Sequence, residues 1–124
     1  MTMPTTQKGY VARKMEDVEP LQCLCGSSTR IITREDGPEL GFHIVHIQDS
    51  TRHYHKNTTE IYYILEGSGY LEVGDDTLEL TPGMTVKIEP GTVHRGYGDF
   101  KTIVVCSPAL DESDEYLEDG SARH

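Results

Sequence analysis

The sequence has no tryptophan, only two phenylalanines and no long apolar stretch. Hydrophobic residues make up 35% of its 124 residues, so a core must be built mainly from aliphatic side chains and tyrosine. No run approaches the roughly 18 to 20 consecutive apolar residues that a membrane-spanning helix needs. A chain of this length supports one domain with a modest core. We therefore predict a small single-domain protein with no membrane partner.

Positive charge is also scarce, because 11 lysines and arginines stand against 21 aspartates and glutamates. No cluster of basic residues could hold phosphate groups, which excludes nucleic acid as a partner. Six of the acidic side chains lie within residues 111–124. We interpret that segment as a solvated acidic tail that aids solubility and contributes little to activity.

Cysteine is limited to three residues, Cys23, Cys25 and Cys106. Residues 1–10 lack the apolar run of a secretory signal, so we expect a cytoplasmic protein. An odd number of cysteines in such a chain argues against a disulfide framework and favours thiols. One C-x-C pair, Cys23 and Cys25, is too weak a signal to predict a second metal site.

Short apolar runs alternate with glycine and proline turns after Pro20, and no helical periodicity of useful length interrupts them. The predicted strands cover residues 30–34, 41–47, 51–54, 60–65, 70–73, 77–80, 84–89 and 102–106. Strands of this length and spacing are typical of an all-β sandwich or barrel. We divide the chain into an N-terminal arm (residues 1–20), a barrel (residues 21–110) and an acidic C-terminal tail (residues 111–124).

Three histidines and one glutamate have the spacing of a metal site on strands. His53 and His55 project from the same face of a strand, because side chains alternate. Glu60 opens the next strand, and His94 follows the Pro90-Gly91 turn. Imidazole nitrogens and a carboxylate oxygen suit a divalent transition metal and leave coordination positions open. We predict that His53, His55, Glu60 and His94 bind one such ion.

These residues resemble the two motifs of the small single-domain cupins. The first motif is matched by His53-Tyr54-His55, four residues, Glu60, six residues and Gly67. The second is matched by Gly83, five residues, Glu89-Pro90-Gly91, two residues and His94. Ile47 stands where the first motif begins with glycine, Glu89 replaces the first proline of the second, and Gly98 replaces its final asparagine.

The resemblance implies an all-β double-stranded β-helix, or jelly-roll barrel, with one metal ion inside it and homodimers as the usual assembly. Fe, Mn, Ni and Zn all remain candidates for the ion. The fold hosts many activities. We expect a metal-dependent enzyme that acts on a small oxygenated molecule, either as an isomerase or lyase or as a dioxygenase. The alternative is a non-catalytic, metal-dependent module that binds or senses a small ligand.

Other side chains near the predicted site have alternative interpretations. Tyr62 shares a face with Glu60 and is a candidate catalytic proton donor, although a core aromatic is an equal alternative. His43 and His46 are more typical of structural histidines, and alternation favours His46 as the one nearer the pocket. Arg95 should face away from the site. We expect few fixed charges beside Glu60, which argues against a multiply charged substrate.

Overall fold

The structure is a computed structural model that describes residues 9–122, and within them nearly all regular structure is antiparallel strand. Nine strands occur in this part of the chain: β1 (Leu21–Cys23), β2 (Gly26–Ile32), β3 (Gly41–Asp49), β4 (His53–Tyr54), β5 (Thr59–Val73), β6 (Asp76–Leu80), β7 (Thr85–Ile88), β8 (His94–Ser107) and β9 (Tyr116–Leu117). Three short 3-10 turns accompany them: Met15–Asp17, Arg34–Asp36 and Glu112–Asp114. No helix in residues 9–122 is long and apolar enough to cross a membrane.

The strands form one curled sheet around the two longest members, β5 and β8. One flank runs β1-β2-β3-β8, and β5 lies on the other side of β8 with β6 and β7 paired to it. The beginning of β8 also pairs with β4, which in turn pairs with β9. A long strand that belongs to both flanks folds the sheet back on itself. This architecture confirms the predicted all-β jelly-roll barrel.

Glycines in β5 and β8 let these two strands pass each other closely where the sheet bends. Gly69 lies opposite Gly98 in the register. A Cβ atom on Gly69 would lie 2.4 Å from the carbonyl oxygen of Tyr97, and one on Gly98 would lie 2.6 Å from the Cα of Gly69. A turn was expected at this glycine-rich segment, with separate strands at residues 60–65 and 70–73. That expectation is wrong, because these glycines serve close backbone approach within continuous strands.

The interior has an apolar part and a polar part. Its apolar part is filled by aliphatic side chains around Phe100, which is 1% exposed. The buried apolar residues are Val45, Ile47, Tyr62, Ile64, Leu71, Leu80, Ile88, Phe100, Val104 and Cys106. The polar part contains buried histidines and Glu60 instead. Burial of several titratable side chains together is uncommon in a structural core, and it identifies this part of the barrel as the place for function.

Residues 111–117 pack onto the barrel. Asp114 and Glu115 are 5% and 6% exposed, and β9 pairs with β4. The expectation of a solvated tail is therefore wrong for this stretch, because both carboxylates face inward and the backbone continues the sheet. Where the barrel is best divided from its terminal segments stays a prediction, and residues 1–8 of the arm lie outside the described residues.

Cys23 and Cys25 form a disulfide at the turn between β1 and β2. Their Cα atoms are 5.1 Å apart, within the range that a disulfide spans. The expectation of free thiols is wrong for this pair, since the tight turn brings the two side chains together despite a separation of only two residues. It holds for Cys106, which is a buried free thiol.

Candidate metal centre

Three strands bring the three predicted histidine ligands together in the polar part of the barrel, with Glu60 beside two of them. His53 of β4 lies opposite His94 of β8, His55 follows β4 directly, and Glu60 is the second residue of β5. One ring nitrogen of each histidine lies within 4.8 Å of the other two. Oε1 of Glu60 is 3.1 Å from Nε2 of His94 and 3.4 Å from Nε2 of His55. All four side chains are buried.

Backbone carbonyls fix the orientation of all three imidazole rings. Nδ1 of His53 is 2.7 Å from the carbonyl oxygen of Thr51, and Nδ1 of His94 is 2.9 Å from that of Thr92. Nδ1 of His55 is 3.0 Å from the carbonyl oxygen of Asp114. A carbonyl oxygen only accepts, so Nδ1 carries the proton in each neutral ring and Nε2 keeps its lone pair. The rings are thereby prepared as metal ligands.

Two buried atoms of this cluster lack hydrogen-bond partners in the described part of the chain: Oε1 of Glu60 and Nε2 of His94. They lie 3.1 Å apart but without the alignment of a hydrogen bond. Two buried acceptors that face each other are unfavourable unless a positive charge lies between them. A divalent transition-metal ion would supply that charge, and the donor set of three imidazoles and one carboxylate fits such an ion.

The pKa shifts of the cluster differ from residue to residue. Burial raises the pKa of Glu60, but contact with His94 and the charges of the three histidines outweigh it and bring the pKa down to about 2. Burial lowers the pKa of His94, but Glu60 raises it more, so the net shift is upward. Burial and the neighbouring His94 lower the pKa of His53 to about 4. A proton on His94 thus competes with a metal ion for the same place.

Tyr62 lies on the same face of β5 as Glu60, as alternation predicts, and is 5% exposed. Its ring meets the ring of His94 edge-on, with centroids 6.2 Å apart. Burial, followed by the negative charge of Glu60, raises the pKa of Tyr62 well above 10. Burial also raises the pKa of the nearby Cys106 thiol. Both side chains therefore stay protonated at neutral pH.

Two further histidines, His43 and His46, lie on β3, and each faces the side of the sheet opposite to the one expected. His43 faces inward, is 4% exposed and lines the cavity beside Glu60. His46 faces outward and contacts Asp99 at 2.6 Å. The expectation that His46 lies nearer the pocket is wrong, because the inward phase of β3 is set by its register with β8, which places His43 opposite the buried Val104. The burial of His43, followed by the charge of Arg30, lowers its pKa to about 4.

Two charged residues that the sequence interpretation missed also line the cavity: Arg30 of β2 and Glu115. The expectation of few fixed charges beside Glu60 is therefore wrong. Arg30 lies opposite His43 in the register, but β2 alternates too weakly between buried and exposed positions for its inward face to be read from the sequence. Glu115 was missed because it lies within the run of acidic residues that we interpreted as a solvated tail. Arg95, as expected, faces away and pairs with Asp49 and Glu72.

The cavity consists of a small inner space and a wider outer pocket. The inner space, about 40 Å³, is bordered by the disulfide, Tyr62 and three of the predicted ligands, His53, His55 and Glu60. It has room for an ion with water or the reacting end of a small molecule. The outer pocket, about 580 Å³, shares Arg30, His43 and Leu110 with the inner space. These three residues therefore lie between the two spaces.

Comparison with known proteins agrees with this geometry. L-ectoine synthase from Aliivibrio fischeri is 31% identical over 100 residues, which cover 75% of this chain and 78% of that protein. A protein structure from Planctomyces limnophilus matches with a TM-score of 0.83 at 26% identity, covering 87% of this chain and 96% of the other.

A second solved structure, the ectoine synthase from P. lautus, matches with a TM-score of 0.73 at 23% identity, covering 86% of this chain and 88% of the other. At that identity it supports the fold alone. The model of the cupin domain family matches residues 42–106, a segment that includes all four predicted ligands. Since that match extends over more than half of the sequence, the chain belongs to the cupin domain family.

Proposed function

We propose that this protein is a metal-dependent enzyme that catalyses a lyase- or isomerase-type reaction on a small oxygenated molecule. The observation that carries the proposal is the pair of unpartnered buried atoms, Oε1 of Glu60 and Nε2 of His94, beside a protonated phenol. His53, His55, Glu60 and His94 would hold one ion, with Fe, Mn, Ni and Zn as candidates. Such an ion, when bound, polarises a carbonyl or enolate oxygen as a Lewis acid.

Tyr62 is the proposed catalytic residue. Its phenol stays protonated and closed off from bulk water, so its proton is held for a group that enters the cavity. A protonated phenol in the cavity wall can donate a hydrogen bond or a proton to a substrate oxygen, a role that lyases and isomerases require. The 31% identical relative is named a synthase, which supports an enzyme over a non-catalytic binding module.

Metal content tests the first half of the proposal. Protein purified without chelators should contain about one equivalent of a divalent transition metal, and the double variant His53→Ala, His55→Ala should contain almost none. Elemental mass spectrometry measures both. His46→Ala is the matched control, because His46 is an outward-facing histidine of the same barrel. Equal metal in the wild type and the double variant, or none in the wild type after incubation with each candidate ion, contradicts the proposal.

Turnover without oxygen tests the second half. Small carbonyl and hydroxyl compounds are incubated with the metal-loaded protein under nitrogen, and loss of water or isomerisation is followed by NMR. Tyr62→Phe should keep the metal and lose about 10²- to 10⁴-fold in rate, the range for removal of a general acid or base. Turnover that requires oxygen would instead identify a dioxygenase. An unchanged rate in Tyr62→Phe would remove Tyr62 from the mechanism.

We also propose that the protein forms a homodimer through the outer face of the sheet. Ile61, Tyr63 and Leu65 of β5 point outward and are 39%, 42% and 42% exposed. In the register, Ile61 lies opposite Val105 and Tyr63 opposite Ile103, two further apolar residues of β8. A continuous apolar sheet face of this kind favours association with a partner.

A charge placed on that face should break the dimer. Tyr63→Lys is expected to halve the molar mass measured by light scattering. The melting temperature should fall only as far as loss of the dimer lowers it, because the side chain is partly exposed in the single subunit. Leu40→Lys is the matched control, since Leu40 is 51% exposed and precedes β3. A monomeric wild type, or a Tyr63→Lys variant with unchanged mass, would contradict this interface. A cytoplasmic location stays a prediction.

A further inference from the structure

Arg30 is the positively charged residue at the boundary between the inner space and the outer pocket, and it lines both. Its side chain is only 15% exposed. Nη1 donates a hydrogen bond to Oε1 of Glu112 at 2.6 Å. Nε, however, is buried and finds no hydrogen-bond acceptor among the described residues.

An unpaired buried donor on a charged group is a feature that proteins rarely keep without a reason. Its desolvation is unfavourable, and the cost is greater for a charged group than for a neutral one. In a cavity wall, the simplest reason is an acceptor that arrives with a ligand. Arg30 belongs to β2, whose pairing with β3 on one side fixes the backbone of this residue. The hydrogen bond to Glu112 and the burial of the side chain restrict the position of its guanidinium.

We propose that Arg30 binds a carboxylate group of the substrate, whose oxygenated end then reaches the metal cluster. The substrate would thus be a small hydroxy or keto carboxylic acid. This inference rests on the proposed function, because it assigns the second contact of the same substrate. A planar carboxylate can accept from Nε–H and from a terminal N–H on the same edge of the guanidinium, a geometry that suits arginine.

The other charges of the cavity favour a carboxylate over a phosphate. Glu60 and Glu115, the two acidic residues that line the inner space, would repel a doubly charged anion more than a singly charged one. Arg30 is the only arginine or lysine that lines the inner space within residues 9–122. One guanidinium can balance one carboxylate, and the small inner space leaves little room for a tetrahedral phosphate beside the cluster.

Glu112 provides a second test of the proposal, in which the affinity for a carboxylate should rise and not fall. Its carboxylate is 56% exposed and already contacts Nη1 of Arg30 from the side of the 3-10 turn. The negative charge of Glu112 lowers the positive potential that a carboxylate on the Nε edge of Arg30 would meet. Removal of the Glu112 charge should therefore strengthen binding of a carboxylate, whereas a purely structural Arg30–Glu112 pair predicts no such gain.

The experiment compares L-lactate with its neutral analogue lactamide on the metal-loaded protein by isothermal titration calorimetry. The wild type should bind lactate more tightly than lactamide. Arg30→Gln should weaken lactate binding about tenfold or more, the effect of losing one charge-assisted hydrogen bond. Glu112→Gln should tighten it several-fold. Arg34→Gln is the matched control, since Arg34 lines only the outer pocket and should leave the affinity within about twofold.

Metal content is measured on every variant and should not change. A wild type that binds lactate no more tightly than lactamide overturns the proposal, as does an Arg30→Gln variant with wild-type affinity. If Arg30→Gln loses both the metal and lactate binding, Arg30 has a structural role, and this result also overturns the proposal. If Arg30→Gln fails to fold, Glu112→Gln and Arg30→Lys keep the test decisive. Lactate binding through Arg30 in a protein that takes up no metal refutes the proposed function alone.

Discussion

Replacement of Asp114 by alanine is expected to lower the metal affinity of the protein about tenfold or more. The backbone carbonyl of Asp114 accepts from Nδ1–H of His55 at 3.0 Å. Its side chain holds that carbonyl in position, because Oδ1 and Oδ2 accept the N–H groups of Lys56 and Asn57, each at 3.0 Å. The variant loosens this connection and frees the His55 ring to turn away from the cluster.

The same substitution should destabilise the fold by about 3 kcal/mol, because two hydrogen bonds to a charged group are lost at roughly 1.5 kcal/mol each. Asp114 is 5% exposed, so water would not readily replace the carboxylate. In a domain of this size the melting temperature should fall by on the order of 10 °C.

Competition with a chelator of known affinity measures the first effect, and thermal unfolding of the metal-free protein measures the second. Asp119→Ala is the matched control: Asp119 also accepts from a backbone N–H, that of Ser121, but at an exposed turn of the same segment. It should leave both quantities close to the wild-type values. An Asp114→Ala variant that binds metal as tightly as the wild type would show that His55 needs no support from the C-terminal segment.

This connection could not be predicted from the sequence, because composition does not reveal which members of an acidic run face inward. Asp111 and Glu118 are ordinary surface carboxylates with arginine partners. Asp114 and Glu115 lie between them in the chain and are buried. Their placement depends on the pairing of β9 with β4, a contact between segments about 60 residues apart that no local pattern indicates.

The metal cluster could be predicted because its residues fall in recognisable short patterns. His53 and His55 share a face by strand alternation, and the two cupin-like motifs connect them to Glu60 and His94. The structure brings the three histidines together, and the ligand roles of all four residues stay a proposal.

Where the phase of a strand was ambiguous, the sequence was a poor guide. In β3 both alternating sets contain apolar residues and one histidine, so His43 and His46 could not be distinguished by pattern. The register with β8 decides between them. For the same reason Arg30 was missed, since its role depends on its position across from His43 on the neighbouring strand.

Glu60→Gln is expected to reduce metal affinity about 100-fold or more, because even the loss of an outer partner of a ligand costs 10- to 100-fold. Oε1 of Glu60 lies 3.1 Å from Nε2 of His94 and 3.4 Å from Nε2 of His55, beside two of the three histidines. Glutamine keeps the shape of the side chain and removes its negative charge. The cluster would then offer a cation three neutral imidazoles and a weak amide ligand.

The metal-free fold should tolerate this change. The amide N–H of glutamine can donate to the lone pair on Nε2 of His94, an atom that lacks a hydrogen-bond partner in the described structure of the wild type. Without the Glu60 carboxylate, burial lowers the pKa of His94 and keeps its ring neutral, so the variant leaves no uncompensated buried charge. The melting temperature of the metal-free variant should therefore stay within about 4 °C of the wild-type value, which corresponds to less than roughly 1 kcal/mol.

Chelator competition and thermal unfolding distinguish this outcome from general damage to the barrel. Glu115→Gln is the matched control, because it neutralises another buried carboxylate that borders the same cavity. It should reduce metal affinity far less than Glu60→Gln does, since Glu115 is not among the predicted ligands. If the two variants lost metal equally, the overall negative charge of the cavity would explain binding, and Glu60 would lose its assignment as a ligand. If Glu60→Gln alone lost it, the unpartnered oxygen of Glu60 would be identified as the fourth donor.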